Sequence, residues 1–138
     1  MMNAEFGSSR TAIVTGGAKR IGAELVKALA ADGWTCLIHY RHSADEASAL
    51  AATCPGARIV QADLAEPGGP EQVIAALDGM PPAGLLVNSA SAFVYDGFDD
   101  FSIEAWDKVI GVNQTGVMLT VQHAIRTMRE NPGGATGS

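Results

Sequence analysis

The sequence predicts an α/β domain: a parallel sheet with helices packed on both faces. Three observations carry this reading. The short runs Ala12-Ile13-Val14, Cys36-Leu37-Ile38 and Leu85-Leu86-Val87 are continuously apolar, as strands buried on both faces must be. Segments with helical apolar spacing separate them, so strand and helix alternate along the chain. A turn of small residues, TGGAKRIG from Thr15 to Gly22, joins the first strand to the first helix.

Residues 1–10, MMNAEFGSSR, read as a loose polar tail, and 11–138 as one domain. The first strand is Ala12-Ile13-Val14, bounded by turn residues. After the glycine turn, Ile21, Leu25, Ala28 and Leu29 recur at helical spacing, and Gly33 ends that helix as a C′ residue. Cys36-Leu37-Ile38-His39 forms the second strand. Ser43 then caps a helix, with Glu46 three residues on completing a capping box. Arg58-Ile59-Val60-Gln61 is the third strand. Pro67-Gly68-Gly69-Pro70 is a loop, followed by a helix marked by Val73, Ile74 and Leu77 and broken by Pro81 and Pro82. Leu85-Leu86-Val87 is the fourth strand. Two helices follow, from about Ser102 to Val112 and from about Gly116 to Arg129. In the second, Val117, Val121, Ala124, Ile125 and Met128 form one stripe, read as core packing or as a subunit interface. The strand order expected is 3-2-1-4, with the chain stopping at GGATGS before a fifth strand.

Composition narrows the functional classes. Hydrophobic residues make up 47 % of the 138, enough for a globular core that buries roughly two thirds of the unfolded surface. The net charge of −6 argues against a general nucleic-acid binder, so any positive site is local. Cys36 and Cys54 lack metal or redox spacing and read as reduced, partly buried thiols of a cytoplasmic protein. The N-terminus has no apolar h-region, and no apolar run approaches the ~18 residues of a membrane span. His39, His42 and His123 share no ligand spacing, so no metal site is expected. Asp96, Asp99 and Asp100 lack calcium-loop spacing and read as a solvated acidic loop.

The glycine turn is where chemistry enters. A helix N-terminus offers unpaired N–H groups and the positive end of the dipole, and Gly16, Gly17 and Gly22 let a phosphate approach the backbone. A nucleotide P-loop would require Lys and Ser or Thr at 23 and 24, where Ala23 and Glu24 stand. The G-x-G-x-x-G fingerprint is not matched either. A tight turn with no ligand is the plain alternative. The second strand runs into HYRHS, residues 39–43, with no acid before Asp45. A domain that binds NAD usually places Asp or Glu there, on the ribose 2′-hydroxyl. Arg41 stands near that position instead, with Arg20 and Lys19 to share a phosphate's charge. The pattern favours NADP(H). A solvated surface arginine is the alternative for Arg41.

In order, TGGAKRIG, QADL at 61–64, NSAS at 88–91 and VN at 112–113 resemble the motifs of the short-chain dehydrogenases/reductases over about residues 10–131. The Lys-Arg pair in the loop and HYRHSADEASALAA resemble the pteridine reductase branch in particular. The resemblance implies a Rossmann-type doubly wound fold and an NADP(H)-dependent oxidoreductase. Hydride would pass to a carbonyl or pterin-like C=N, with this chain carrying the cofactor-binding half. By resemblance, Thr15, Gly16, Lys19, Arg20, Ile21 and Gly22 form the cofactor loop. Tyr40, Arg41, His42 and Ser43 surround the 2′-phosphate. Asp63 bonds the adenine amine beside Leu64, and Asn88, Ala90 and Ser91 lie along ribose and nicotinamide. Arg20, Ser91 and Phe93 border the substrate, Phe93 by stacking on a flat ring. Asn113 supports the proton relay. Asp63 read alone is a loop cap, and Phe93 read alone is a core aromatic.

Two departures stand out. Position 89 is Ser where the family often has Asn. The family's Tyr-x-x-x-Lys pair is absent: Tyr40 and Tyr95 are followed four residues later by Ala44 and Asp99. The chain alone is therefore expected to be inactive. It is expected to form a homo-oligomer or to associate with a complementary C-terminal fragment, and to take a small-molecule substrate. The alternatives are a non-catalytic NADP-binding module and a flavodoxin-like interaction domain.

Overall fold

A computed structural model describes residues 9–92, 102–129 and 135–137. Strands β1 (Thr11–Thr15), β2 (Thr35–Tyr40), β3 (Arg58–Gln61) and β4 (Ala83–Asn88) alternate with helices α1 (Arg20–Ala31), α2 (Ala44–Thr53) and α3 (Gly69–Ala75). Helices α4 (Ile103–Ile110) and α5 (Val117–Met128) follow, then β5 (Ala135–Gly137). All pairings are parallel and the sheet order is β3-β2-β1-β4-β5.

Alternation along the strands builds two cores, one on each face of the sheet. Ala12, Val14, Cys36 and Ile38 face one way and pack with Val26 of α1 and Ala47 and Leu50 of α2. Ile13, Leu37 and Leu86 face the other way and pack with Val73 of α3 and Ala124 and Met128 of α5. This is why the strands read as apolar throughout: each buries both faces. Ile13, Leu37, Ile38 and Leu86 are fully buried.

Several expectations need correction. The outer edge of β4 is paired, because β5 adds Leu85↔Ala135 through Val87↔Gly137, so the sheet does not stop before a fifth strand. The segment Ala-Thr-Gly has no apolar run to announce a strand; the β4 ladder recruits it. The tail is tethered at its end. Ser9 Oγ donates to the Pro82 carbonyl, Thr35 N–H donates to the Arg10 carbonyl at 2.7 Å, and Arg10 lies over the Trp34 ring. The capping box at Ser43 does not form: Ser43 is the N-cap but its side chain makes no capping bond, and Glu46 faces Lys19 at 3.8 Å instead. The two last helices are joined by a π-helical turn, Gly111–Gly116, into one continuous helical run. The buried face of α5 is Thr120, Ala124 and Met128, while Ile125 is 42 % exposed. Cys36 and Cys54 are free and buried rather than partly so, and burial first, then the neighbouring Cys54, pushes the Cys36 thiol up to about 12.

Candidate functional site

Parallel pairing brings the C-terminal ends of four strands to one edge of the sheet: Tyr40↔Gln61 on one side and Thr15↔Asn88 on the other. The chain leaves β1 towards β2 on one side and β4 on the other, so a crevice opens at the switch point, where α/β sheets take ligands. A cleft of about 590 Å³ lies there. It brings together Gly16, Lys19, Arg20, Ile21 and Gly22 with Tyr40, Arg41, His42 and Ser43, and with Leu64, Ala90 and Ser91.

The first wall is the turn between β1 and α1. Gly16 has φ +62°, a conformation glycine adopts freely. A Cβ on Gly22 would stand 2.1 Å from the Gly16 carbonyl oxygen, so only glycine lets α1 start this close to the turn. Arg20 also has positive φ, +53°, the single such non-glycine among the described residues. The α1 N-cap, Lys19, makes no side-chain capping bond, and no acid occupies the first turn. The N–H groups and dipole of α1 therefore face the cleft with cations beside them, an arrangement that suits phosphate.

The second wall is the end of β2. Arg41 Nη2 stands 3.3 Å from Asp63 Oδ2, and Gln61 Nε2 donates to the Arg41 carbonyl at 3.1 Å. Asp63 Oδ1 accepts the Ala65 N–H at 2.9 Å, so the same carboxylate caps its own loop and holds the arginine.

The third wall follows β4. Thr15 is not on the cleft surface but fully buried beneath it, where Oγ1 accepts from the Ser89 and Ala90 N–H groups, each at 3.2 Å. It staples β1 to the β4 loop. Asn113, in the π-helical turn, clamps the same loop: Oδ1 accepts the Ala92 N–H at 2.8 Å and Nδ2 donates to the Ala92 carbonyl at 2.9 Å. The turn itself packs closely under the loop after β3, since a Cβ on Gly116 would lie 2.6 Å from the Leu64 carbonyl oxygen. Asn88 ends β4 in register with Thr15. Phe93 and the acidic loop 96–100 fall outside the described residues.

Two contributors escape the sequence reading. Lys108 of α4 lines the cleft and adds a cation; its only signal is a basic residue on an amphipathic helix. His39 is 2 % exposed and braces the glycine turn twice. Its Nδ1 accepts the Gly16 N–H at 3.0 Å, and its carbonyl accepts the Gly17 N–H at 3.0 Å. Its Nε2–H donates to the Ala62 carbonyl at 2.8 Å.

Known proteins resemble this chain in sequence and in fold. The sequence profile of the family described as short chain dehydrogenase matches residues 10–136. L-xylulose reductase of Bos taurus is 39 % identical over 119 residues, covering 86 % of this chain and 47 % of the relative. The crystal structure of a blue fluorescent protein from a metagenomic library, in complex with NADPH, superposes with a TM-score of 0.81 at 29 % identity, covering 88 % of this chain and 52 % of the other. FolM alternative dihydrofolate reductase 1 of Brucella canis, complexed with NADP, superposes with a TM-score of 0.77 at 33 % identity, covering 86 % and 50 %. The chain thus spans about half the length of the proteins it matches.

Proposed function

This chain belongs to the short chain dehydrogenase family, and from that premise we propose that it is the cofactor-binding half of an NADP(H)-dependent oxidoreductase. The observation that carries the cofactor choice is Arg41 at the end of β2, held at the cleft by Asp63 where an acid would serve NAD. NADPH, when bound, supplies the hydride. The chain's own residues bind and orient it. The uncapped start of α1 would take the pyrophosphate, Arg41 with His42 and Ser43 the 2′-phosphate, and Tyr40 and Leu64 the neighbouring surface of the nucleotide. Lys19, Arg20 and Ile21 line the mouth of the same cleft. Asp63 would serve the adenine amine with lone pairs left over from Arg41 and Ala65. Asn88, Ala90 and Ser91 would run along the ribose and nicotinamide, on the loop that Thr15 and Asn113 hold.

The substrate is proposed to be a carbonyl or a pterin-like C=N compound, bordered by Arg20, Ser91 and Phe93. The relatives support both, an L-xylulose reductase on one side and an alternative dihydrofolate reductase on the other. The proton that accompanies hydride transfer requires a positioned acid, and no Tyr-x-x-x-Lys pair is present in the sequence. Activity is therefore proposed to need a complementary C-terminal segment, and the chain to act in the cytoplasm as a homo-oligomer or with that segment. Exposed Ile103, Trp106 and Met118 support such association. A non-catalytic NADP-binding module remains the second reading, favoured by the same missing pair. A flavodoxin-like domain does not, because the family match replaces it.

Calorimetric titration of the pure chain tests the proposal. NADPH should bind more tightly than NADH, and no turnover should appear with pterins, quinones or simple ketones. Equal affinities would remove the cofactor assignment, and steady turnover would remove the assignment of a half-site.

A further inference from the structure

We infer that His39 is a positioning residue for the phosphate loop, acting as a neutral imidazole whose bare Nδ1 fixes the Gly16 amide and so shapes the cofactor cleft. The inference rests on the cofactor reading above and goes beyond it, because His39 would touch the loop rather than the phosphate.

The tautomer follows from the partners. The Ala62 carbonyl can only accept, so Nε2 carries the proton; the Gly16 N–H can only donate, so Nδ1 carries a lone pair. The ring therefore links the turn after β1 to the chain leaving β3, across the cleft floor between them. With the Gly17 N–H on the His39 carbonyl, both glycine amides point back into β2. The turn is thereby fixed at its root, leaving the next amides, at the start of α1, to face the ligand. A second proton on the ring would set an N–H against the Gly16 N–H at 3.0 Å. Two donors cannot share that line, so the turn would have to open. Burial already holds the ring below its ordinary basicity, against the pull of the Ala62 bond and the Asp63 charge. The depressed value means that this contribution to folding is complete above about pH 6.5 and is lost as the pH falls through the lower, folded-state value.

The other charged groups around the cleft are Lys19, Arg20, Arg41, His42 and Lys108, which line it, and Asp63, which holds Arg41. The Gly16 N–H is held by His39 Nδ1, so an acid limb that disappears when His39 alone is replaced belongs to this ring and not to its neighbours.

The experiment is a titration of the full chain with ADP-ribose, which lacks the 2′-phosphate and has no group titrating between about pH 5 and 8. For the unaltered chain, affinity should fall by up to about tenfold per pH unit on the acid limb, the slope of one proton. His39→Gln can offer Oε1 to Gly16 and Nε2–H to Ala62 without titrating. It should bind within a few-fold of the unaltered chain at pH 8 and lose the acid limb. Nitrogen-15 spectra of the His39 ring should show the Nε2–H tautomer at pH 8 and a further drop in its basicity when ADP-ribose binds. An acid limb retained in His39→Gln, flat affinity in the unaltered chain, or an Nδ1–H tautomer would overturn the inference. Failure of the unaltered chain to bind ADP-ribose or NADPH at pH 8 would overturn the cofactor reading itself and this inference with it.

Discussion

Arg41 Nη2 lies 3.3 Å from Asp63 Oδ2, so the cation after β2 is held by the carboxylate after β3. The side chains are 33 % and 30 % exposed, and a pair this wet is worth only about 0–1 kcal/mol to the fold. Its consequence is geometric. The guanidinium is kept at the cleft, and its remaining donors are available to a phosphate. The carboxylate is also a competitor, which an arriving dianion must outbid.

Replacing Arg41 should therefore change ligand choice more than stability. Arg41→Ala should weaken NADPH by an amount on the order of 1.5–3 kcal/mol, the range for hydrogen bonds to charged groups, and leave NADH nearly unchanged. Arg41→Asp should reverse the preference, at some cost in stability from two carboxylates side by side. Paired titrations with NADPH and NADH check this. An unchanged ratio of affinities in Arg41→Ala would mean that Arg41 serves only Asp63.

Arg20 gives an opposed pair of effects. Its φ of +53° costs a side-chain-bearing residue roughly 1–2 kcal/mol. Glycine there would relieve the strain, offset in part by about 0.5–1 kcal/mol of chain entropy. Arg20→Gly should thus keep or slightly raise the melting temperature while weakening NADPH. A thermal melt beside a binding titration separates the two. A lowered melting temperature with unchanged binding would show that the arginine is structural.

Gly22 should tolerate nothing larger. A Cβ there would stand 2.1 Å from the Gly16 carbonyl oxygen and 3.0 Å from Gly17 Cα, both backbone atoms that cannot step aside alone. Gly22→Ala should push α1 away from the turn, costing about 1–3 kcal/mol as overpacking does and abolishing measurable cofactor binding. Denaturant unfolding and titration together check it. Near-native stability and affinity would show that the turn has slack.

The strands were legible because each buries two faces, and Ile13 and Val14 must both be apolar to do so. That the basic loop and Arg41 meet at one cleft was legible from their places just after β1 and β2, whose C-terminal ends lie side by side in a parallel sheet. His39 was not, since a polar residue closing an apolar strand reads as the strand's end. Its role depends on Gly16 and Ala62, 23 residues away on either side. The capping box failed for a similar reason: Glu46 has a distant partner in Lys19 that local spacing cannot display. The π-helical turn had no periodic mark at all. It seats Gly111 against Ala65 and Gly116 against Leu64, contacts that local spacing cannot display.

That turn places Asn113, whose two bonds to Ala92 make the last prediction. The amide matches its partner donor to acceptor and acceptor to donor, at 2.8 and 2.9 Å. Each bond contributes about 0.5–1.5 kcal/mol, towards the lower end here because Asn113 is exposed. Asn113→Ala should therefore cost about 1–2 kcal/mol and speed hydrogen exchange at the Ala92 amide. Asn113→Asp is the sharper variant. It keeps an acceptor for the Ala92 N–H but turns a second oxygen towards the Ala92 carbonyl, where two acceptors repel. It should exchange nearly as fast as the alanine variant above the carboxylate's pKa and recover protection as the carboxyl is protonated and can donate again. Exchange at Ala92 that is unaffected by either substitution would show that the β4 loop is held by Thr15 alone.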